Sequence, residues 1–206
     1  MTSGRNIAPV EIGRDADANT ADRLLDAARA CIADVGRKRT TLTDVAQRAG
    51  VSRMTVYRTY RDMPTLLAEL MTREFADLVA KVAANPTDAR GWPDQIAVGV
   101  GATVRAVRAN ELFRRAVDLD PAFLEPYLFE RRGRSQQVVL DLLAAQISAA
   151  QAEGGVRAGD PVAIARGIVL AVHGYALSIG TMTDDGVSES ALDAELVEMV
   201  RRYLAP

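Results

Sequence analysis

Hydrophobic residues recur every three to four positions along most of the chain, which is the spacing of amphipathic helices. Residues 41–60, TLTDVAQRAGVSRMTVYRTY, show this spacing in two short runs separated by Gly50. The first run comprises Leu42, Val45, Ala46 and Ala49, and the second comprises Val56 and Tyr60. The pattern predicts two short helices joined by a tight turn.

Residues at the ends of both runs have the chemistry of helix caps. Thr41 can cap the first helix by accepting from the N–H of Asp44, whose carboxylate can accept from Thr41 in return. Gly50 can end that helix, because glycine adopts the left-handed conformation without a Cβ penalty. Ser52 can cap the second helix. Such a pair forms a helix-turn-helix, whose second helix can enter the major groove of DNA.

Similar helical patterns cover most of the remaining sequence. We expect further helices over residues 21–35, 63–85, 93–108, 111–117, 122–153, 161–180 and 191–204, the fifth of them interrupted near Pro126 and Gly133. Thr20, Asp62 and Asp160 are the expected caps of three of these helices. The alternation typical of strands is almost absent, so the sequence predicts an all-α fold.

Three segments are expected along the chain. Residues 1–19 mix Gly, Pro, Asp and Asn without a helical period, which predicts a disordered arm. Arg5 or Arg14 of this arm could reach a minor groove, although simple disorder is the alternative. A helix-turn-helix domain is predicted over 20–66 and a larger helical domain over 67–206.

The cysteine content and the distribution of apolar residues bear on location. Cys31 is the single cysteine, which excludes an internal disulfide and fits a reducing cytosol. It falls on the apolar face of the first predicted helix, so a packed thiol is expected. No signal peptide is recognisable, and no segment approaches the length of apolar chain that spans a membrane. We therefore expect a soluble, cytoplasmic protein with no membrane partner.

The net charge of −2 is unevenly distributed. Residues 20–62 contain nine basic and five acidic residues, whereas residues 63–206 contain 14 basic and 19 acidic ones. This split indicates a basic DNA-binding segment on an acidic body, with chance variation of the surface as the alternative. Arg37, Lys38 and Arg39 form a basic loop that either contacts the DNA backbone or is simply solvated.

The chain lacks the motifs that carry catalysis in small hydrolases and oxidoreductases. There is no G-x-S-x-G elbow and no Walker loop, and Gly99-Val100-Gly101 has no third glycine and falls within a predicted helix. His173 is the sole histidine and has no neighbouring cysteine to complete a metal site. We predict no enzymatic activity, no catalytic residue, no metal and no cofactor.

Residues 21–80 resemble the DNA-binding domain of the tetracycline-repressor (TetR) family of bacterial transcription regulators. The resemblance is carried by LLDAARACIADVG, TLTDVAQRAGVS, MTVYRTY and a following helix with paired leucines. The remainder resembles the family only in layout, including the Gly-Asp-Pro at 159–161 and the His-Gly-Tyr at 173–175. The resemblance implies an N-terminal three-helix helix-turn-helix domain plus a larger C-terminal helical regulatory and dimerisation domain.

The resemblance also implies a set of contacts with a double-stranded DNA operator. The candidates are Thr41, Ser52, Arg53, Met54, Thr55, Tyr57, Arg58 and Tyr60. Thr41 and Ser52 would meet phosphates at helix N-termini, and Arg53 or Arg58 could bind guanine. Tyr57 would place its hydroxyl on a phosphate. The alternatives are packing of Tyr57 against the first helix and a surface ion pair for Arg58.

Two positions depart from the family pattern. Met54 stands where many relatives have glycine, which predicts a different base preference. Met63 stands where a phosphate-binding lysine is common, which predicts lower DNA affinity and weaker salt dependence. Arg61, two residues earlier, could take the place of that lysine.

A helix-turn-helix protein usually binds DNA as a dimer, because one recognition helix covers only a short site. Small residues recur along the penultimate predicted helix, and they indicate a surface that another helix can approach closely. The candidate interface comprises Ile164, Gly167, Ile168, Ala171, Tyr175, Leu196, Met199 and Tyr203. Packing of these residues within one subunit is the alternative. The family resemblance favours a homodimer.

A small-molecule site is expected in the larger domain, because such sites are mostly apolar with a few polar groups. Its candidate lining is Trp92, Phe113, Phe123, Tyr127, Phe129, Gln146, His173 and Met182. Taken one at a time, such residues are more often ordinary core residues than ligand contacts.

Together these patterns predict a homodimeric repressor that a small, mainly apolar effector releases from a (pseudo)palindromic operator. A helix-turn-helix activator or an effector-independent DNA-binding protein is the alternative. The effector, the operator and the regulated genes are not determined by the sequence.

Overall fold

The computed structural model describes the backbone of residues 11–85, 89–119, 125–130 and 132–206, and the side chains of these ranges apart from 11–17, 116–119, 126 and 127. The described ranges contain helices and turns but no strand, which confirms the all-α prediction. The helices are α1 Glu11–Val35, α2 Leu42–Ala49, α3 Arg53–Thr59, α4 Met63–Ala83, α5 Trp92–Ala109, α6 Glu111–Leu119, α7 Glu125–Phe129, α8 Arg134–Ala152, α9 Pro161–Ser178 and α10 Glu189–Leu204.

The chain forms two compact units, Met1–Leu70 and Met71–Pro206, and the division falls within α4. The boundary that the sequence suggests, between residues 66 and 67, lies a few residues earlier in the same helix.

Helices α1, α2 and α3 and the first turns of α4 surround one apolar core in the first unit. Its buried members are Leu24, Leu25, Ala28, Cys31, Ile32, Leu42, Val45, Ala46, Val56, Tyr60, Leu66, Leu67 and Leu70. The inward faces follow the spacing of three and four residues in each helix. Cys31 is buried among them, which confirms its prediction as a packed thiol.

Helix α1 begins earlier than the sequence predicts. It extends back to Glu11, so residues 11–19 are helical and not part of a disordered arm, and Thr20 lies inside the helix instead of capping it. Acidic residues are favourable near a helix N-terminus, and the sequence of this extension contains Glu11, Asp15 and Asp17. Residues 1–10, with Arg5, lie outside the described part of the chain.

Helices α5, α8, α9 and α10 build the core of the second unit. Its buried members are Ile96, Ala97, Val104, Leu140, Leu143, Ile147, Ala150, Val156, Ile164, Ala165, Ile168, Leu196, Val200 and Leu204. The backbones of α5 and α10 approach closely at Gly101, where a Cβ atom would lie 2.5 Å from Cγ2 of Val197. A larger residue at this position would therefore force the Val197 side chain or the helices themselves to shift.

Most predicted helix ends in the second unit agree with the structure. The interruption expected near Gly133 separates α7 from α8. Asp160 caps α9 by accepting from the N–H of Val162 at 2.9 Å, as predicted. The last helix starts at Glu189 rather than at 191, because Ser188 accepts from the N–H of Ala191 and caps it.

An ion pair in the second unit joins α5 to α10. Arg108 donates from Nη1 and Nη2 to Oδ1 and Oδ2 of Asp193, each at 2.8 Å. Asp193 is only 6% exposed, so both oxygens of its carboxylate are satisfied by this bidentate partner and not by water. Loss of either side chain would leave a charge with little access to water.

Helix α9 is unusually apolar for a helix with an exposed face. The stretch Pro161–Thr181 has a mean hydropathy of 1.7, which is enough by length and composition to cross a membrane and differs from the expectation that no segment approaches that limit. Its residues Ile164, Ala165 and Ile168 belong to the core of the second unit. Only 22% of its most apolar window is buried within the chain, so an apolar face remains uncovered.

The substitution Asp193→Ala should lower the free energy of unfolding by about 3 kcal/mol, because it leaves Arg108 without its buried partner. Urea denaturation followed by circular dichroism measures this loss. The control Glu111→Ala removes the exposed partner of Arg115 and should cost less than about 0.5 kcal/mol. Equal losses in both variants would show that burial of the Arg108–Asp193 pair is unimportant for stability.

Candidate functional site

The first helix of the motif begins with the predicted reciprocal cap. Oγ1 of Thr41 accepts from the N–H of Asp44 at 3.2 Å, and Oδ2 of Asp44 accepts from the N–H of Thr41 at 2.9 Å. The Thr41 hydroxyl also donates to Oδ2 of Asp44 at 2.7 Å. These hydrogen bonds from Thr41 lower the pKa of Asp44, because they stabilise its charged form. The Thr41 hydroxyl thus donates its proton to Asp44 and, in this arrangement, does not offer it to a phosphate.

The turn between α2 and α3 is built on Gly50. This residue has φ of 64° and ψ of 36°, in the left-handed region. The N–H of Gly50 donates to the carbonyl of Gln47 at 3.2 Å, and the N–H of Val51 donates to that of Ala46 at 3.0 Å. This is the hydrogen-bond pattern of a Schellman motif, which ends α2 and reverses the chain.

The recognition helix α3 starts at a cap made by Ser52. Its Oγ accepts from the N–H of Thr55 at 3.1 Å and lies 2.8 Å from the Thr55 hydroxyl. The Ser52 side chain is therefore engaged in capping α3. The backbone N–H groups of the first turn of α3 are the groups that could bind a phosphate.

One face of α3 is directed to solvent. Arg53, Met54, Tyr57, Arg58 and Thr59 are exposed, and Thr55 is half-buried. Met54 is the most exposed apolar residue of α3, with 78% of its surface accessible. The opposite side of the helix holds Val56 in the core. The structure thus places Arg53, Met54, Tyr57 and Arg58 together on one surface.

Tyr60 does not belong to that surface. It is 5% exposed and lies in the core of the first unit, which corrects its assignment as a DNA contact. The reason is its spacing of four residues from Val56, which continues the buried face of α3.

The segments before and after the motif carry additional basic residues. Arg37–Arg39 form a 3-10 turn, in which Nε of Arg39 donates to the carbonyl of Val35 at 2.8 Å. Arg61 donates from Nε to Oδ2 of Asp62 at 3.1 Å. Asp62 in turn caps α4 at the N–H of Thr65, and the hydrogen bonds from Thr65 lower the pKa of Asp62. A carboxylate thus stands between Arg61 and the N-terminus of α4.

The candidate residues for a small-molecule site lie in different surroundings. Trp92 is half-buried and donates from Nε1 to Glu153 at 2.7 Å. Phe113 is buried edge-on to Phe75, with ring centroids 6.3 Å apart. Phe123 lies outside the described residues, as does the side chain of Tyr127.

Three other candidates face solvent and are corrected on that ground. Phe129 and Met182 are among the most exposed apolar residues, and Gln146 is exposed on α8. Gln146 precedes the buried Ile147, so the helix turns its side chain away from the core. The aromatic and apolar character of the other two could not indicate their orientation, because they lie at or beyond the ends of helices.

His173 of α9 has a polar neighbour on α8. Its Nε2 lies 3.4 Å from Nε2 of Gln136 on α8. Oε1 of Gln136 accepts from the N–H of Gly133 at 2.8 Å, which directs the amide nitrogen of Gln136 towards His173. The neutral tautomer of His173 with its proton on Nδ1 suits this contact, and burial lowers the pKa of His173 and favours the neutral ring.

The second unit also has a charged groove of about 540 Å³ between α5 and α10 that sequence reasoning did not anticipate. Its lining comprises Arg105, Ser190, Asp193, Ala194, Glu195, Val197, Glu198 and Arg201. Arg201 is paired with Asp94 at 2.6 Å and with Glu198. The only signal in the sequence was the spacing of three between Glu198 and Arg201, which any solvated helix can show.

The candidate dimer residues divide into buried and exposed groups. Ile164, Ile168 and Leu196 are at most 2% exposed, so they pack within one subunit and cannot contact another, which corrects their assignment. Ala171 and Tyr175 are half-buried, whereas Gly167, Met199 and Tyr203 are exposed. A Cβ on Gly167 would lie 3.2 Å from the Tyr203 hydroxyl, so the exposed surfaces of α9 and α10 are continuous.

Metal binding has no support in the described part of the chain. Those residues contain no group of three His, Cys, Asp or Glu side chains that could hold an ion.

Comparison with solved structures identifies the fold. QsdR, a transcriptional repressor of the TetR family from R. erythropolis, superposes with a TM-score of 0.66 at 15% identity, over 91% of this chain and 95% of that chain. RolR in complex with resorcinol gives a TM-score of 0.68 at 12% identity, over 93% of this chain and 90% of that one.

Sequence comparison identifies the family. Residues 24–70 match the model of the bacterial regulatory proteins of the tetR family. An uncharacterised HTH-type transcriptional regulator of Mycobacterium tuberculosis is 34% identical over 187 residues, which cover 91% of this chain and 95% of the relative. The matched residues 24–70 contain the whole motif described above, from the Thr41 cap to the end of α3. The chain therefore belongs to the tetR family of bacterial helix-turn-helix transcription regulators and is not an enzyme.

Proposed function

We propose that this regulator is a homodimeric repressor that a small, mainly apolar effector releases from a (pseudo)palindromic operator. The observation that carries the proposal is the exposed face of α3, where Arg53, Met54, Tyr57 and Arg58 stand together on a capped, firmly packed helix. The cytoplasm, where the operator would be found, is the corresponding location.

In the proposed complex α3 enters the major groove and the helix N-termini meet the backbone. Arg53 and Arg58 are long enough to reach guanine, and Met54 could contact a thymine methyl group. Tyr57 is more than half exposed, which supports a phosphate contact over packing against α1. Backbone N–H groups at the starts of α2 and α3 would bind phosphate oxygens.

The uncovered face of α9 supports the homodimer. Its exposed residues Ala163, Gly167, Leu170 and Gly174 follow a spacing of four, three and four, and Leu170 is 71% exposed. Small residues at this spacing allow the backbone of a second helix to approach closely. Tyr203 of α10 extends the surface beside Gly167. A two-fold pairing of this surface would present two α3 helices to two half-sites.

The interior of the second unit is the proposed site of the effector. Trp92, Phe113 and His173 remain as candidates, and the Nδ1–H of His173 could donate to a polar group of an otherwise apolar molecule. The solved structure of RolR contains resorcinol, a small aromatic compound. A small aromatic ligand with a polar group would suit a site where His173 is the hydrogen-bond donor and Trp92 and Phe113 provide aromatic contacts.

Helix α4 is the proposed route of effector release. It continues from the first unit into the second, where its Glu74 accepts from Asn110 at 3.0 Å and its Phe75 packs on Phe113. An effector that moves Phe113 would thereby act on α4. Because coupling is reciprocal, operator DNA must weaken effector binding by the same factor by which effector weakens DNA binding.

Selection of duplexes from a random pool tests DNA recognition directly. The full chain should enrich sites with two-fold symmetry, because a dimer reads two half-sites. Enriched sites without that symmetry would contradict the dimer, and no enrichment would contradict sequence-specific recognition.

The substitution Arg58→Ala should relax the preference at one position of each half-site and cost about 1–3 kcal/mol on the selected duplex, because it removes a base contact. Binding to a set of singly altered duplexes measures both effects. Arg114→Ala, an exposed arginine of the second unit, is the matched control and should change neither. A uniform loss on all duplexes would assign Arg58 to a phosphate.

The substitution Leu170→Glu should convert the dimer to a monomer at micromolar concentration, because it would bury two carboxylates at a two-fold contact. Sedimentation equilibrium measures the change in mass. Leu142→Glu is the matched control on the exposed side of α8, where leucine is 49% exposed, and should leave the dimer intact. A wild-type monomer, or a dimer that survives Leu170→Glu, would exclude this surface.

Trp92 is the sole tryptophan, so its fluorescence reports on the second unit. A panel of small phenols and other aromatic compounds should contain members that quench it, and these should weaken binding to the selected duplex. The affinity of such a compound, measured with and without the duplex, should differ by the factor found for DNA. Equal affinities would rule out the proposed release and favour an effector-independent regulator.

A further inference from the structure

Two arginines of the first unit make hydrogen bonds that connect α1 to the last turn of α2. Arg23 of α1 donates from Nη2 to the carbonyl of Ala49 at 2.6 Å. Arg48 of α2 donates from Nη1 to Oδ2 of Asp34 on α1 at 2.5 Å. One bond thus runs from α1 to α2 and the other from α2 to α1. We call these two bonds the arginine brace.

The first bond meets a need created by the way in which α2 ends. In the turn at Gly50, the N–H groups of Gly50 and Val51 bond back to carbonyls within the last turn of the helix. The carbonyl of Ala49 has no helical N–H beyond it to accept from, and it receives the guanidinium of Arg23 instead. A cation at this end also interacts favourably with the helix dipole.

The same guanidinium lies against the turn that leads to the recognition helix. Nη2 of Arg23 would be 3.6 Å from a Cβ atom placed on Gly50. Only Gly50 and Val51 separate the braced Ala49 from Ser52, the residue that caps α3. The position of the Ala49 carbonyl therefore contributes directly to the direction in which α3 leaves the turn.

The second bond supports the same turn more weakly. The side chains of Arg48 and Asp34 are each about half exposed, and exposed ion pairs contribute little. Nη1 of Arg48 also lies 3.8 Å from Sγ of the buried Cys31, which holds the guanidinium against α1. Arg48 directly precedes Ala49, so both bonds act on consecutive residues.

We propose that Arg23 is a positioning residue for DNA recognition and that Arg48 assists it through Asp34. Both arginines contribute to the basic charge of residues 20–62, and such charge in a DNA-binding segment suggests phosphate contacts. The brace instead gives their guanidinium groups the task of orienting α3. This proposal rests on DNA binding through α3 and adds residues that act without contacting a base or a phosphate.

The test compares the wild-type chain with Arg23→Gln on two DNA duplexes of equal length, one selected by the wild type and one unrelated, at several salt concentrations. Binding of the variant to the selected duplex should weaken about tenfold, since a charge-assisted hydrogen bond is lost. Binding to the unrelated duplex should weaken only by the general effect of one lost charge, about twofold or less, and the slope of log K against log salt should stay unchanged.

Other roles of Arg23 give different results. A lost phosphate contact would weaken both duplexes and reduce the slope of log K against log salt by about 0.9. A smaller folded fraction would weaken both duplexes by the same factor and leave their ratio unchanged. Either result would overturn the assignment of Arg23. Failure of the wild type to select any duplex would instead contradict recognition through α3 itself, and with it the brace.

Asp34→Asn tests the second bond with the opposite electrostatic expectation. Removal of an acid from a DNA-binding segment should strengthen binding to any duplex, whereas loss of the brace should weaken binding to the selected duplex about twofold to threefold. The ratio of the affinities for the selected and the unrelated duplex should be the same in the double variant Arg48→Gln and Asp34→Asn as in either single variant. Each of the two substitutions breaks the same bond, so the second one removes nothing further. Asp26→Asn removes the same charge elsewhere on α1 and is the control. If Asp34→Asn strengthens binding as much as this control, Arg48 has no positioning role.

Discussion

The reversal of the chain at Gly50 is the constraint on which the first unit depends. Only three residues separate α2 from α3, and the left-handed conformation of Gly50 lets α2 end and the chain turn within that length. The hydrogen bonds of the turn and the caps at Thr41 and Ser52 satisfy backbone groups that the short helices cannot satisfy themselves. Val45 and Val56 can then enter one core. The outer face of α3 is left available for DNA.

Neither α2 nor α3 would be stable alone, because helices of this length do not recover the cost of nucleation. Their stability comes from caps and from burial, because α2 packs against the much longer α1 and α3 packs against α2. The arginine brace adds to this support, because Arg23 donates a hydrogen bond to the carbonyl of Ala49 at the end of α2 that precedes the turn. The rigidity of the DNA-binding surface on α3 therefore depends on these caps, packing contacts and hydrogen bonds.

The second unit is organised by burial of helix faces, and α9 shows the limit of that burial. Its inner face is in the core with α5, α8 and α10, while its outer face carries Leu170 between small residues. Apolar surface of this kind is costly to leave in water, which is the physical basis of the proposed dimer. The buried Arg108–Asp193 pair holds α5 on α10.

Local rules determined much of this protein from its sequence alone. Helix periodicity, the caps at Thr41, Ser52 and Asp160, and the turn at Gly50 depend on residues within a few positions of each other, so the sequence was sufficient for them. The start of α1 was the exception, because residues 11–19 show no apolar period from which a helix could be predicted. The apolar period also predicted the inward faces of α1, α2 and α3, whereas only the tertiary structure decided which sides of the helices in the second unit are covered. It placed Ile164, Ile168 and Leu196 inside and Phe129, Gln146 and Met182 outside. It also joined Arg23 to Ala49 and Arg108 to Asp193, partners far apart in sequence, because helix rotation and long-range contacts are set by the packing of the whole core.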